Sequence, residues 1–221
     1  MDVSPRRCVL AIVIATLATA GCAPDPPNAI VQVEVLGCQP GTETGSGAFV
    51  DDGIVLTSAH TLRGVREVTV SRGDQSVAAE VVAFDPDNDL AYLRADLEPH
   101  DPLHVDAHRI TPGSRGSAWV VRDGEAVRLD VTVVRPVRIN TEDIYIDSLV
   151  TRPGLELEAD IRPGDSGGPV VVDGSVIGVL WARSRRAELR AYAIDPDRGG
   201  DVIERQLATG DLSDVELSRC A

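Results

Sequence analysis

Gly164-Asp165-Ser166-Gly167-Gly168-Pro169 sets a serine among glycines, directly ahead of an apolar, hairpin-like run at 170–172, Asp173-Gly174 and 175–181. Pro163 fixes the approach to it. Glycine tolerates the backbone conformations that hold a hydroxyl outward while N–H groups converge on one point, the setting of a nucleophile and its oxyanion. Gly, Asp, Ser and Pro are also ordinary turn formers, so the hexapeptide alone fits a plain loop between strands. What separates the two is whether a base and an orienting acid stand elsewhere in a usable order.

The same letters satisfy Gly-x-Ser-x-Gly, the nucleophile elbow of α/β-hydrolases, in which the histidine follows the serine. Here His60, His100, His104 and His108 all precede Ser166, leaving such an elbow without its base. The order His, Asp, Ser fits a different arrangement. Thr57-Ser58-Ala59-His60 closes an apolar strand at 54–57 and puts His60 where a loop begins. A lone histidine there is usually a surface residue; the downstream serine motif makes it the candidate base. Asn88-Asp89-Leu90-Ala91-Tyr92-Leu93 offers the acid, because Asp89 abuts a run whose alternation buries its neighbours. Asp85 and Asp87 are rivals, but Asp85-Pro86-Asp87-Asn88 is turn chemistry.

The rest reads as an all-β chain, with short alternating segments at 31–35, 45–50, 54–57, 67–71, 76–84, 90–94, 116–122, 126–136, 144–151, 170–172, 175–181 and 189–194. Aromatic residues are only 3%, so Val, Ile, Leu and Ala fill the core, which suits strands. No repeat is visible. Asp201-Val202-Ile203-Glu204 reads as a capping box opening a terminal helix that Gly210 closes.

Residues 1–21 read as a signal peptide: Arg6 and Arg7, then an apolar run at 9–20, shorter than the roughly 20 residues of a membrane span. Two cleavage readings compete, Ala18-Thr19-Ala20 for ordinary signal peptidase and Thr19-Ala20-Gly21-Cys22 for a lipoprotein box, with Thr19 where such boxes usually carry leucine. Cysteine parity favours lipidation of Cys22: without Cys8, this leaves Cys38 and Cys220 to pair as a disulfide in an oxidising compartment. Residues 22–28, with Pro24, Pro26 and Pro27, form a stiff tether to a domain at 29–221. The chain has no lysine, and its net charge of −14 argues against nucleic acid or an anionic lipid surface as partner.

Together the three motifs Thr57-Ser58-Ala59-His60, Asn88 to Leu93 and Gly164 to Pro169 resemble the bacterial, secreted branch of trypsin-like serine proteases. The likeness extends to the protease domain of HtrA-type and actinobacterial periplasmic enzymes, with no residues left for a PDZ domain after Ala221. The resemblance implies a chymotrypsin-like fold of two six-stranded antiparallel β-barrels, the first at about 29–112, the second at about 113–200, and a helix and tail at 201–221. It implies serine endopeptidase activity on polypeptides without a cofactor. Ser166 is the nucleophile, His60 the base and Asp89 its orienting acid, with the N–H groups of Gly164 and Ser166 as oxyanion hole. Trp181 falls on the substrate-binding strand, a barrel-core position being the plainer alternative. Asp160, six residues before Ser166, has the spacing of an acid that selects Arg or Lys in trypsin. Asp165 pairs with a new N-terminus in digestive relatives; no activation site stands here, leaving its partner unassigned and either constitutive activity or a trigger open.

Two other clusters read as solvated loops. His100, His104 and His108 have the spacing of a metal-binding helix face, but Pro99 and Pro102 interrupt it and no metal is expected. Arg183, Arg185 and Arg186 lie beside the expected cleft. The competing reading of the whole chain is a catalytically silent binding module on the same fold, since fold alone does not establish activity.

Overall fold

The computed structural model describes residues 27–38, 40–98, 101–107, 110–198 and 200–220. The leader, Cys22 and the tether up to 26 lie outside these residues, as do His100 and His108. Among the described residues no helix is long and apolar enough to cross a membrane.

Alternation builds the first barrel. In β1 (Ile30–Leu36), Val31, Val33 and Val35 are sealed while Gln32 and Glu34 are only partly covered. β2 (Thr42–Asp51) and β3 (Ile54–Thr57) follow as a hairpin whose turn is closed by Gly53 at φ +64°. β4 (Glu67–Arg72), β5 (Gln75–Asp85) and β6 (Leu90–Ala95) complete a closed ring in the order β1-β2-β3-β6-β5-β4. The chain's only two phenylalanines, Phe49 and Phe84, are both fully buried inside it with Val55, Val70 and Leu93. At roughly 1.5 to 3 kcal/mol for each large apolar side chain, this cluster is what holds the ring closed.

β7 (His104–Val105) is a short parallel addition to the edge of β12 (Ser175–Arg183). With β8 (Arg115–Arg122), β9 (Glu125–Glu142), β10 (Leu149–Glu158), β11 (Pro169–Val172) and β13 (Arg190–Ile194), β12 forms a second ring, ordered β11-β8-β9-β10-β13-β12 and closed by β11–β12 pairing. Val120, Val133, Leu155, Leu157 and Leu180 fill it. Between the rings lie Leu56, Tyr92, Val179 and Ile194 on one side and Ile30, Ala48 and Trp119 on another.

The structure corrects one strand and lengthens another. Residues 143–148 are a turn, although Ile144-Tyr145-Ile146 carry high β propensity. The Asp143 carboxylate accepts the N–H groups of Tyr145, Asp147 and Ser148 and the Ser148 hydroxyl, at 2.7 to 3.1 Å, and this local capping wins over propensity. β10 accordingly starts only at Leu149. β9 runs past Pro136 to Glu142 because β8 leaves it at Thr132 and the last backbone bonds on that side, among the described residues, join Val133 to Gly113 and Ser114; past them the edge tolerates the missing N–H. The outer halves of β9 and β10 thus form a two-stranded ribbon. Its tip folds onto the first barrel, where Ile144 is 5% exposed and its carbonyl accepts from Arg63 at 3.0 Å.

α1 (Gly200–Thr209) lies on β5, with Gln206 accepting the Phe84 N–H at 2.7 Å and Ile203 buried between the barrels. Gly210, at φ +69°, donates to the Gln206 carbonyl and ends the helix in the left-handed conformation glycine permits. The tail returns over the first barrel through Leu212, Val215 and Leu217, and Cys220 is disulfide-bonded to Cys38.

Candidate active site

β3 ends at Thr57, and a short 3-10 turn, Ala59–Leu62, lifts His60 to the rim of the first barrel, a third exposed. The loop before β6 brings Asp89 against it in the left-handed region, φ +59°, which costs a non-glycine residue about 1 to 2 kcal/mol. The cost is met by two bonds. Asp89 Oδ1 accepts the His60 backbone N–H at 2.7 Å, and Oδ2 lies 2.9 Å from His60 Nδ1. A carboxylate on Nδ1 fixes that nitrogen as the donor and leaves Nε2 as the acceptor. Burial opposes the imidazolium, but the Asp89 charge and hydrogen bond outweigh it, so the His60 pKa rises above 6.5 even though Arg152 and Arg63 pull it down.

The rival acids have other work. Asp85 accepts the N–H groups of Asp87 and Asn88 and the Asn88 side-chain amide at 2.7 to 3.0 Å, so it caps the turn. Asp87 is exposed. Burial and the neighbouring Asp85 and Asp143 charges raise its pKa.

Ser166 comes from the second barrel but is held by the first. Its carbonyl accepts the Ser46 N–H of β2 at 2.7 Å. A Cβ on Gly167 would stand 2.1 Å from the Ser46 carbonyl and 2.3 Å from Thr57 Oγ1, so only glycine, here at φ +86°, lets the serine loop approach Thr57 and Ser58 just before His60. Thr57 Oγ1 donates to the Ser46 carbonyl at 2.8 Å, and Ser46 Oγ accepts from Val121 N–H at 2.9 Å, so both barrels grip this loop. The Ser166 hydroxyl lies 3.5 Å from the Trp181 carbonyl.

Arg162-Pro163-Gly164-Asp165 is a tight turn closed by Asp165 N–H to the Arg162 carbonyl at 3.1 Å, with Gly164 at φ +95°. Proline second and a positive-φ glycine third are the signature of a type II turn, whose central peptide differs from type I by a flip. Asp165, 1% exposed, is satisfied in full: Arg122 grips it through Nε at 3.0 Å and Nη2 at 2.7 Å, and the Arg162 N–H donates at 2.6 Å. Sequence reasoning left this carboxylate without a partner. Arg122 closes the strand at 116–122, 43 residues from Asp165, and no linear signal joins the two.

A second arginine was also missed. Arg152 on β10, 2% exposed, donates to the carbonyls of Asp87 at 2.6 Å and Pro86 at 3.3 Å, comes within 3.5 Å of Asp89 Oδ2, and lies 5.4 Å from the centre of the Trp181 ring. The Trp181 ring therefore packs between the barrels under a guanidinium, while its backbone is what meets Ser166. Asp160 is exposed, its carboxylate 3.4 Å from Arg162 and its carbonyl accepting from Arg122 at 3.2 Å. His104 is exposed on β7. No cluster of His, Cys, Asp and Glu able to hold a metal occurs among the described residues.

A family model described as a trypsin-like peptidase domain matches residues 45–179, from β2 through most of β12, a span that contains His60, Asp89 and Ser166. The chain belongs to the trypsin-like peptidases. Within that family it is similar to the serine protease Rv3671c of Mycobacterium tuberculosis, 32% identical over 77% of this chain and 42% of that protein. A probable periplasmic serine endoprotease, DegP-like, from Halomonas elongata is 30% identical over 76% of this chain and 36% of that one. The chain thus spans well under half the length of these curated relatives. The crystal structure of Rv3671c protease in its active form superposes with a TM-score of 0.74 at 27% identity, covering 91% of this chain and 93% of that one. This trypsin-like peptidase chain accordingly has the double-barrel architecture of its HtrA-type relatives.

Proposed function

We propose that the chain is a serine endopeptidase acting outside the cytoplasm. The observation that carries this reading is the Asp89–His60 pair, with Nδ1 engaged at 2.9 Å, on the barrel that also grips the Ser166 loop. His60 Nε2 takes the proton of the Ser166 hydroxyl as Oγ adds to the peptide carbonyl. The N–H groups of Gly164 and Ser166 receive the oxyanion. Collapse of the tetrahedral intermediate breaks the C–N bond, and the imidazolium gives its proton to the leaving amine. Water, deprotonated by His60, then cleaves the acyl ester and restores Ser166. The pairing of the buried Asp165 with Arg122 supports a preset oxyanion turn, because the carboxylate needs no incoming N-terminus. Names of similar proteins such as the periplasmic one above support export, and the lipobox reading supports an anchor at Cys22.

A serine-directed fluorophosphonate tests the mechanism: the exported protein takes up the label, and Ser166→Ala does not. A folded wild type that neither labels nor cleaves any peptide overturns it in favour of a silent binding module. Retention of the exported protein at the membrane, lost in Cys22→Ser, tests the anchor.

A further inference from the structure

We propose that the cavity beside Ser166 selects substrates with an aspartate or glutamate on the acyl side of the cut bond. This rests on the endopeptidase reading above and names the substrate class of that same site.

The cavity, about 650 Å³, lies between segments 159–161 and 183–190. The first segment runs directly into the Arg162–Asp165 turn. The second follows Trp181, whose carbonyl meets the Ser166 hydroxyl. The walls are fastened by Ala159 N–H to the Leu189 carbonyl and Ser184 N–H to the Arg190 carbonyl, both at 2.8 Å. A side chain entering from the scissile bond at Ser166 therefore has this cavity beside it.

The charges of the lining decide what it receives. Arg183, Arg185, Arg186 and Arg190 line it together with Asp160 and Glu188. Arg190 is already engaged by Glu156, which is 4% exposed. Asp160, whose spacing predicted a basic preference, is 3.4 Å from Arg162 and so partly neutralised by its own neighbour. Arg183, Arg185 and Arg186 are exposed and make no ion pair among the described residues. Ser184 Oγ accepts the N–H groups of Arg186 and Ala187 at 3.1 Å and fixes the turn that carries them. Three uncommitted guanidiniums thus stand against Glu188 on a chain whose net charge is −14. A carboxylate fits guanidinium forks in charge and geometry, whereas a basic side chain has to displace Arg162 and pass three like charges.

The test is a set of fluorogenic peptides differing only in the acyl-side residue, Glu, Asp, Ala, Leu, Lys or Arg, with rates normalised to fluorophosphonate-titrated sites. Glu is expected to exceed Ala in kcat/KM by about tenfold at low salt, with Arg below Ala, and the gap to shrink in 1 M NaCl, where the Debye length is about 3 Å. Arg183→Glu and the double change Arg185→Glu with Arg186→Glu are expected to erase the acidic preference. A maximum on Arg or Lys, or a preference indifferent to these replacements, overturns the proposal. Charge selection is separable from catalysis in Ser166→Ala, where fluorescence anisotropy of labelled peptides ending in Glu or Arg reads binding alone. Tighter binding of the Glu peptide supports the selection even if the wild type fails to acylate, and equal or weaker binding overturns it.

Discussion

Arg152 of the second barrel stands 3.5 Å from the Asp89 carboxylate of the first, and both side chains are sealed, 2% and 1% exposed. The guanidinium also closes the loop that presents Asp89 by binding the Pro86 and Asp87 carbonyls. Arg152→Met strands those acceptors and is expected to cost about 3 kcal/mol in urea unfolding. It also removes a cation that disfavours the His60 imidazolium. The acid limb of kcat/KM, already above pH 6.5, is expected to move further upward. A purely structural arginine lowers stability and leaves that limb in place.

The stability linkage of His60 has the opposite sense to the role of base proposed for it. Because its folded pKa is raised above 6.5, the His60–Asp89 pair contributes stability fully below pH 6.5 and loses it as pH rises through the folded value. Asp89→Asn is expected to remove this pH dependence and to cost about 10⁴-fold in turnover by favouring the wrong tautomer. Asp87→Asn is expected to stay within about 0.5 kcal/mol and near wild-type rate, since that carboxylate is exposed and crowded by like charges. Paired pH titrations of unfolding and of kcat/KM separate the two acids.

Arg122→Met leaves Asp165 charged and buried, and is expected to cost about 3 to 5 kcal/mol. Turnover is expected to fall with it, because Asp165 also accepts the Arg162 N–H at the start of the turn proposed to hold the oxyanion. Adding Asp165→Asn to Arg122→Met removes the stranded charge, so thermal melting recovers more than activity does. A double-mutant cycle on Tm and fluorophosphonate labelling measures both.

At the ribbon tip, burial opposes ionisation of Asp143, but four hydrogen bonds outweigh it and hold its pKa below 3.8. A depressed carboxylate contributes stability that is fully present above pH 3.8 and is lost as pH falls through the folded value. Asp143→Ala is expected to destabilise at pH 7 and to approach wild type in acid. Unfolding curves at pH 7 and pH 2.5 check this.

Cys38 and Cys220 are 182 residues apart in the chain, a loop for which chain entropy gives about 5 kcal/mol. Reducing the bridge, or Cys38→Ser with Cys220→Ser, is expected to lower Tm in proportion. Free thiols in the non-reduced protein run against the pairing.

What could be read from the sequence was local. Valine alternation at 31–35 and the three short motifs carried the fold and brought His60, Asp89 and Ser166 into view, because strand period and nucleophile glycines are written in adjacent residues. The partners of buried charges were not legible. Arg122 and Arg152 look like any other arginine until the second ring closes and brings them 43 and 63 or more residues through the chain to Asp165 and to the 86–89 loop. The turn at 143–148 was misread for a related reason: one carboxylate with four donors overrode the β propensity of its neighbours.

The tail over the first barrel carries a consequence for the order in which the molecule can be assembled. Leu212, Val215 and Leu217 cover a barrel whose last strand ends at Ala95, and Cys38 finds its partner only at Cys220. A polypeptide made N-terminus first delivers the six strands of that barrel more than a hundred residues before Leu212, Val215 and Leu217, which cover them. Formation of the bridge therefore requires that residue 220 has reached the first barrel, and a chain stopped before it is left with an uncapped apolar surface and an unpaired thiol at Cys38.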